Sequence, residues 1–247
     1  MKPGPKPRGT VLLEWSPSFA YAIGLITADG CLVNDGRHLN FTSKDLVQVS
    51  LFKECLNLKT KIGTKRSGAG NLAYCIQFGD VLFYQFLLTI GLTPAKSKTI
   101  ESVQIPDKYF PDFLRGYFDG DGSSSSFYDS VWKKSYRFYI SFVSASPVFI
   151  DWLRMELDTR LGIKGHISRW KGKSAISLKY AKREALILSE YIYRSKSDLF
   201  LKRKYLKIER SISIIGTRRS GEIGRHAAFR SQSSKGVGGS NPLSGTR

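Results

Sequence analysis

The chain has 247 residues, of which 41% are hydrophobic and 13% aromatic, so it can bury a core and is not disordered as a whole. Its 39 Lys and Arg residues outnumber its 20 Asp and Glu residues, which gives a formal net charge of +19. The basic residues are spread along the chain and do not form one amphipathic helix, which favours nucleic acid over a membrane surface as the partner.

The first half of the chain predicts alternating helices and strands. Residues 1–14 are rich in Pro, Gly and Lys, which is typical of a disordered basic arm. Ser16 and Pro17 are the residue types of an N-cap and a first helical position, and they predict a helix that ends at Asp29. After it we expect a hairpin over 31–42, a helix over 44–56, strands over 60–67 and 72–78, and a helix over 80–90.

The second half repeats this order of elements. We expect a helix over 106–119, a hairpin of strands 122–131 and 136–143, a helix over 147–161, strands over 163–171 and 175–180, and a helix over 182–193. Phe41 and Phe142 occupy matching places before the second helix of each half, which indicates an internal duplication. The expected domains are therefore an N-terminal half at 15–92, a linker at 93–106 and a C-terminal half at 107–212.

The last part of the chain differs in composition from both halves. Residues 213–247 are rich in Gly, Ser and Arg without apolar periodicity, which predicts a disordered tail. Gly239 to Pro242 can be encoded by a typical tRNA T-arm, so the tail resembles translated tRNA gene sequence.

Two of the predicted helices end in the same pattern, a small residue followed by Asp and Gly. The patterns end at Asp29-Gly30 and at Asp121-Gly122. Each helix also carries two small residues one turn apart, which allows close packing of the two backbones. These interface residues are Gly24 and Ala28 in the first helix and Gly116 and Gly120 in the second. We expect Gly30 and Gly122 to adopt the left-handed conformation that commonly ends a helix.

An acid at the C-terminal end of a helix is unfavourably placed. The helix dipole puts partial negative charge at that end, and a second carboxylate nearby adds repulsion. A hard divalent cation such as Mg²⁺ or Mn²⁺ neutralises such a site, because it accepts carboxylate and carbonyl oxygens. The sequence therefore predicts a metal site formed by Asp29, Asp121 and the carbonyl groups of Ala28 and Gly120, as in a metal-dependent phosphodiesterase.

Both patterns resemble the LAGLIDADG motif of homing endonucleases, and two motifs in one chain match the single-chain members of that family. The resemblance covers residues 16–210. It implies an α+β fold of two pseudo-symmetric αββαββα halves, whose antiparallel sheets form a DNA-binding saddle around two central packed helices. It also implies a Mg²⁺-dependent endonuclease that cuts double-stranded DNA across the minor groove and leaves short 3′ overhangs.

The family pattern implies roles for individual residues. Asp29 and Asp121 match the catalytic acids, whereas Thr27 replaces an acid that usually precedes the first of them. Lys96 and Lys204 match best the basic residue that family members place near the site in each half. Such a lysine could stabilise charge on the phosphate, although a simple contact with the DNA backbone is the alternative interpretation.

The strands are amphipathic, and their outward positions are polar and mostly basic rather than acidic. Such residues can contact base edges and phosphates of a long duplex target. The predicted DNA-binding residues are Arg37, His38, Asn40, Thr42, Lys61, Lys65, Arg66, Gln77, Lys133, Lys134, Arg137, Tyr139, Ser141, Ser168, Arg169, Lys171, Lys173, Ser177 and Lys179.

Two other functions stay open for the same fold. One is a maturase that binds the RNA of its host intron, and the other is a non-catalytic, sequence-specific DNA-binding protein. In each case we expect a monomer with internal pseudo-two-fold symmetry and no membrane partner. The lack of an apolar leader and the three separated cysteines predict a cytoplasmic, nucleoid-associated or organellar protein that is not secreted.

Overall fold

The computed structural model describes residues 9–66, 70–169, 172, 174–194 and 199–232, with side chains described as far as residue 217. The chain forms two compact units, residues 1–208 and residues 209–247. None of the helices in this described part has the length and apolar character of a membrane-spanning segment.

The first unit contains two successive sets of helices and strands. The first set is α1 (Pro17–Asp29), β1 (Gly30–Leu32), β2 (His38–Ser43), α2 (Leu46–Cys55), β3 (Gly63–Arg66), β4 (Leu72–Gly79) and α3 (Val81–Thr89). The second set is α4 (Phe110–Asp121), β5 (Gly122–Tyr128), β6 (Tyr136–Ser144), α5 (Pro147–Leu161), β7 (His166–Arg169), β8 (Ile176–Ala181) and α6 (Lys182–Tyr193). The last helix, α7 (Lys202–Gln232), continues into the second unit.

The two sets form antiparallel sheets of the same topology. Their strand orders are β1-β2-β4-β3 and β5-β6-β8-β7. Gly30 pairs with Phe41 in the first sheet, and Gly122 pairs with Phe142 in the second, so the duplicated residues occupy equivalent places. The predicted α+β class with two αββαββα halves is confirmed.

Helices α1 and α4 pack against each other through their glycines. A Cβ atom on Gly24 would lie 2.1 Å from the carbonyl oxygen of Phe113, and one on Gly116 would lie 2.1 Å from that of Tyr21. One on Gly120 would lie 2.2 Å from the Cβ of Ala28. Hydrogen is therefore the only side chain that fits at these positions, and the two backbones touch directly.

The expectation of left-handed glycines after the two acids is wrong. The φ angles of Gly30 and Gly122 are −81° and −87°, which are ordinary extended values. Glycine is needed at both positions for space, because a Cβ would lie 2.7 Å from the carbonyl oxygen of Ile26 or 2.5 Å from that of Phe118. The chain passes straight from each helix into the first strand of its sheet.

The predicted disorder of residues 1–14 is wrong for its last part. Residues 1–8 lie outside the described residues, but the backbone N–H groups of Thr10 and Val11 donate to Asp80 Oδ2, at 2.6 and 2.9 Å. Asp80 is buried and also caps α3 by accepting from the Phe83 N–H at 2.8 Å. Because this buried carboxylate needs donors, it fixes the chain before α1.

The predicted disorder of the tail is also wrong over 213–232, since α7 continues to Gln232. This stretch contains no proline, and its Arg, Ala and Glu residues favour a helix over its isolated glycines. Residues 233–247, which include the segment that resembles tRNA gene sequence, lie outside the described residues.

Candidate functional site

The two motif acids lie at the same end of the central helix pair. Asp29 is the last residue of α1 and Asp121 is the last residue of α4. Asp29 Oδ2 lies 3.1 Å from the place that a Cβ on Gly120 would occupy, so this carboxylate rests against the end of the other helix. The close packing of α1 on α4 thus brings the two acids to one site.

The surroundings of the two acids disfavour their ionised forms. Burial raises the pKa of Asp29, although the Gln48 side chain opposes this by donating from Nε2 to Asp29 Oδ2 at 3.0 Å. Burial raises the pKa of Asp121 to about 6, and the negative charge of Asp29 adds to that shift. The positive charges of Lys96 and Lys204 act in the opposite direction on both acids. The two acids therefore hold a proton more readily than separate, solvated carboxylates do.

The raised pKa makes Asp121 a destabilising residue at neutral pH. Its pKa of about 6 in the folded state exceeds the usual 3.8, so stability falls as the pH rises through this interval. We expect Asp121→Asn to raise the free energy of unfolding at pH 7.5 without metal by about 1 kcal/mol, or the melting temperature by about 2–4 °C. Asp121 is closely surrounded by protein atoms but its side chain still reaches solvent, and solvent screening therefore keeps the gain small.

Thermal unfolding at several pH values checks this expectation. The gain should vanish below about pH 4, because Asp121 is then protonated in both the folded and the unfolded chain. Asp35→Asn is the matched control. The pKa of Asp35 is lowered to about 2, chiefly by the backbone N–H of His38, so this change should not raise the melting temperature. A lower melting temperature of Asp121→Asn at pH 7.5 would contradict the conclusion that ionised Asp121 destabilises the fold.

Two lysines occupy equivalent places around the acids. Lys96 is 6% exposed and donates from Nζ to the carbonyl oxygen of Gly30. Lys204 Nζ donates to the carbonyl oxygen of Gly122 at 2.7 Å and shares its other two N–H groups among three carbonyls at the end of α4. Burial lowers the pKa of both side chains, that of Lys204 to about 8. The structure thus brings Lys96 and Lys204 to the acids, where each binds the carbonyl of the glycine that follows an acid.

Gln48 is a site residue that the sequence patterns did not reveal. This buried side chain on α2 donates to Asp29 Oδ2 and, at 3.2 Å, to the carbonyl oxygen of Asp119, while its Oε1 accepts from the Ser43 hydroxyl at 2.7 Å. Phe149 occupies the equivalent position on α5, three residues after the N-cap. The sequence feature that could have indicated its role is a lone amide within the apolar stretch of α2. Because Phe149 stands at the equivalent position on α5, the two halves of the site are not identical.

Asp119, the other acid of the second motif, has a different role. Only 1% of it is exposed, and its Oδ2 accepts from the Tyr21 hydroxyl at 2.7 Å and from the Leu201 N–H at 2.8 Å. The buried Arg115 donates from Nε to the Leu199 carbonyl oxygen at 2.8 Å. These two side chains of α4 bind the segment just before α7, and so they fix the position of the backbone from which the Lys204 side chain extends to the site.

A cavity lies beside the second acid, and oxygen atoms of the kind that a hard cation binds surround the two helix ends. A cavity of about 280 Å³ lies beside Asp121, Lys96 and Ala28. No cluster of three or more His, Cys, Asp or Glu side chains that could hold a metal is found among the described residues. Of the two acids only Asp121 lines this cavity, and a cation held by both carboxylates would lie between the helix ends, with carbonyl, water or phosphate oxygens completing a donor set that suits Mg²⁺. Of the predicted carbonyl donors, that of Gly120 already accepts from Lys204 at 3.3 Å.

The outward faces of the two sheets carry most of the predicted DNA-binding side chains. Residues that are directly paired share a face, and the pairs Asn40–Gln77 and Ser141–Lys179 therefore define the face turned away from the apolar core. This face holds His38, Asn40, Thr42, Lys65 and Gln77 in the first sheet, and Arg137, Tyr139, Ser141, Ser168, Ser177 and Lys179 in the second. Within that group Ser177 is only 5% exposed.

Other predicted contacts lie elsewhere. Arg66 pairs with Leu72 and Arg169 pairs with Ile176, so alternation along β3 and β7 turns both exposed arginines to the opposite face, and their contact with DNA stays a prediction. Four further basic residues are exposed but lie outside the strands. They are Lys61 before β3, Arg37 before β2, and Lys133 and Lys134 between β5 and β6. Lys171 and Lys173 lie outside the described residues.

Comparison with known proteins supports the resemblance seen in the two motifs. Residues 112–199 match the profile of the LAGLIDADG-like domain. No curated protein matches the sequence at a significant level.

Several solved structures share the fold at low sequence identity. The LAGLIDADG homing endonuclease I-GzeII, solved in complex with its DNA target, has a TM-score of 0.54 and 14% identity over 85% of this chain and 92% of its own. I-SmaMI, a LAGLIDADG homing endonuclease solved with cleaved DNA, has a TM-score of 0.57 and 14% identity over 85% and 91%. Full-length DUF199/WhiA from Thermatoga maritima has a TM-score of 0.53 and 16% identity over 90% of this chain and 71% of its own. At these identities the likeness shows the fold alone, which is the two-domain LAGLIDADG fold.

Proposed function

We propose that this chain, which has a LAGLIDADG-like domain and the two-domain LAGLIDADG fold, is a site-specific endonuclease that hydrolyses both strands of a DNA duplex with a divalent cation, Mg²⁺ or Mn²⁺. The supporting observation is the pair of acids at the ends of α1 and α4, both with raised pKa values, with the buried Lys96 beside one helix end and the half-buried Lys204 beside the other. By resemblance to the family, the cuts lie across the minor groove and leave short 3′ overhangs.

Each residue of the site contributes a specific function to hydrolysis. Asp29 and Asp121, with the carbonyl groups of Ala28 and Gly120, would hold the cation, which when bound supplies Lewis-acid stabilisation of phosphate charge and a more acidic water. Gln48 fixes the Asp29 carboxylate by its hydrogen bond and so keeps one acid oriented. The ammonium groups of Lys96 and Lys204 add positive charge where the charge on each phosphate develops.

The partner in this proposal is a long stretch of double-stranded DNA. The formal net charge of +19 favours a polyanion, and affinity for one should fall steeply with added salt. The outward faces of the two sheets supply Asn, Gln, Lys and Arg side chains, which can read base edges in the major groove. The protein acts as a monomer, because one chain already contains both αββαββα halves. The exposed basic residues between the strands contact phosphates.

A non-catalytic, sequence-specific DNA-binding protein is the second candidate. The observation that favours it is that Lys96, which is buried, and Lys204, which is half-buried, donate to carbonyl groups at the helix ends. Lysines used in this way stabilise the ends of α1 and α4 whether or not any phosphate is cut. DNA binding and DNA cleavage must therefore be measured separately.

The test begins with selection of a binding site from random duplex DNA, which is then cloned into a plasmid. Incubation with the purified chain and Mg²⁺ or Mn²⁺ should linearise the plasmid, and a chelator should prevent this without preventing binding. Tight duplex binding without any cut would overturn the nuclease in favour of the non-catalytic protein. Preference for a structured intron RNA over every duplex would instead favour a maturase.

A further inference from the structure

The hairpins that follow the two acids differ in length. Strands β1 and β5 begin directly after Asp29 and Asp121, but β1 has three residues and β5 has seven. Four additional residues at about 3.3 Å each carry the β5–β6 hairpin about 13 Å further from the acids. This distance equals about 4 base pairs of duplex DNA.

The tip of this longer hairpin has a fixed conformation. Asp129 Oδ1 accepts from the N–H groups of Val131 and Trp132, at 3.0 and 2.9 Å, and its Oδ2 accepts from Arg137 Nε at 2.9 Å. The N–H of Ser135 donates to the carbonyl oxygen of Trp132 at 2.6 Å. The tip therefore needs little ordering when it binds a partner, which lowers the entropic cost of binding.

The side chains at this tip are apolar and open to solvent. Val131 is 77% exposed and Trp132 is 70% exposed, whereas most large apolar side chains of the first unit are buried. The next two residues, Lys133 and Lys134, are exposed and basic. The one acid of the turn, Asp129, is paired with Arg137, so the two lysines leave the tip with a positive charge. The tip therefore favours an anionic partner that also offers apolar surface to Val131 and Trp132.

The tip continues a row of aromatic and basic side chains on the outward face of the second sheet. Phe127 is 50% exposed, and its ring centroid lies 6.1 Å from that of Tyr139. Lys179 Nζ lies 4.0 Å from the Tyr139 ring centroid. Phe127 pairs directly with Arg137, so the row runs without a break from the sheet to the turn. Aromatic rings beside cations are the combination that nucleic acids bind through stacking and phosphate contacts.

We propose that Val131 and Trp132 enter a groove of duplex DNA beyond the part of the target that lies on the sheet, as an apolar wedge against the bases, while Lys133 and Lys134 contact the flanking phosphates. Wedges of this kind are one way in which proteins grip and bend a duplex. The bound DNA is consequently longer, by about 4 base pairs, on the side of the C-terminal half. The inference rests on the DNA-binding part of the proposed function and is independent of cleavage.

The experiment combines protein variants with DNA of different lengths. Dissociation constants are measured for the selected duplex and for duplexes shortened by 4 base pairs at either end, with the wild-type chain, Trp132→Ala and two controls. The controls are Met155→Ala, which changes a 59% exposed side chain on α5, and Arg37→Ala, which lies at the shorter hairpin. Trp132 is exposed, so its replacement should leave the melting temperature unchanged.

Shortening one end should weaken binding by the wild-type chain about tenfold, and the same shortening should have little effect on Trp132→Ala. Met155→Ala should behave as the wild type does. Arg37→Ala should still lose about tenfold in affinity when the end of the duplex that affects the wild type is shortened. If Trp132→Ala loses affinity equally for long and shortened DNA, or loses none, the wedge is wrong even though the chain binds DNA. If the wild type binds no duplex, both the wedge and the proposed function fail.

Two further outcomes distinguish the wedge from cleavage and from self-association. Dependence on the outer 4 base pairs in a chain that binds but does not cut would support the wedge and overturn the nuclease. Sedimentation that shows wild-type dimers and Trp132→Ala monomers, with equal DNA affinities, would identify the tip as a contact between protein copies and overturn the wedge.

Discussion

Replacing either motif acid by its amide, Asp29→Asn or Asp121→Asn, is expected to reduce cleavage by on the order of 10³-fold, which is about 4 kcal/mol of transition-state stabilisation. Asparagine keeps the size of the side chain but removes the negative charge that would hold a cation. Affinity for the DNA target should remain within a few-fold, because the outward faces of the sheets are unchanged. Single-turnover cleavage at saturating protein, with binding measured in a chelator, separates the two effects.

Asp151→Asn, at an exposed position on α5, is the control and should cut at the wild-type rate. At low Mg²⁺ concentration the wild-type rate should also rise with pH through the region near 6, since Asp121 must lose its proton before it can bind a cation. Cleavage that persists in both Asn variants would remove these acids from the chemistry. A fall in binding as large as the fall in cleavage would assign them to the fold.

The sequence predicted the centre of this fold because its signals there are local and repeated. A small residue, Asp and Gly occur twice after glycine-bearing helices, and α1 and α4 do pack at those glycines and end at those acids. Alternation along the strands also placed most outward side chains, since direction in a strand follows position alone. The faces of Arg66 and Arg169 follow from the strand register, which the composition of β3 and β7 does not determine.

Residues that act through distant partners were not predictable from local patterns. Gln48 meets Asp29 across 19 positions, and Asp119 meets the Leu201 N–H across 82 positions. Asp80 orders Thr10 from 70 positions away, in a segment whose composition indicated disorder. In each case a buried polar group needs a partner, and only the three-dimensional packing determines which partner it finds.

The second large effect is expected from adding one methyl group to the contact between the central helices. Gly24→Ala would put a Cβ 2.1 Å from the carbonyl oxygen of Phe113 and 2.6 Å from the backbone nitrogen of Tyr117. Neither atom can rotate away, because both belong to the backbone of α4, so the helices must separate and open the core. We expect a loss of at least about 4 kcal/mol in the free energy of unfolding, a large part of the roughly 5–15 kcal/mol typical of a domain.

Denaturant unfolding measures this loss, and Gly216→Ala in α7 is the control. Apart from its chain neighbours and the backbone of its own helix, no described atom lies within 4 Å of the position that its Cβ would take, so alanine there should be neutral or stabilising by up to about 1 kcal/mol. Equal stability of the Gly24 and Gly216 variants would contradict the close contact of α1 and α4.

Exchange of a methyl group between the two helices tests how this packing positions the acids. A Cβ on Gly120 would lie 2.2 Å from that of Ala28, so Gly120→Ala alone should force apart the helix ends that carry Asp29 and Asp121. Adding Ala28→Gly removes the facing methyl and should restore part of both stability and cleavage, although Asp29 Oδ2 would still lie 3.1 Å from the new Cβ. Rescue of stability without rescue of cleavage would mean that the acids require a closer fit than the fold does. Failure to rescue either would show that the glycine is needed against Asp29 itself.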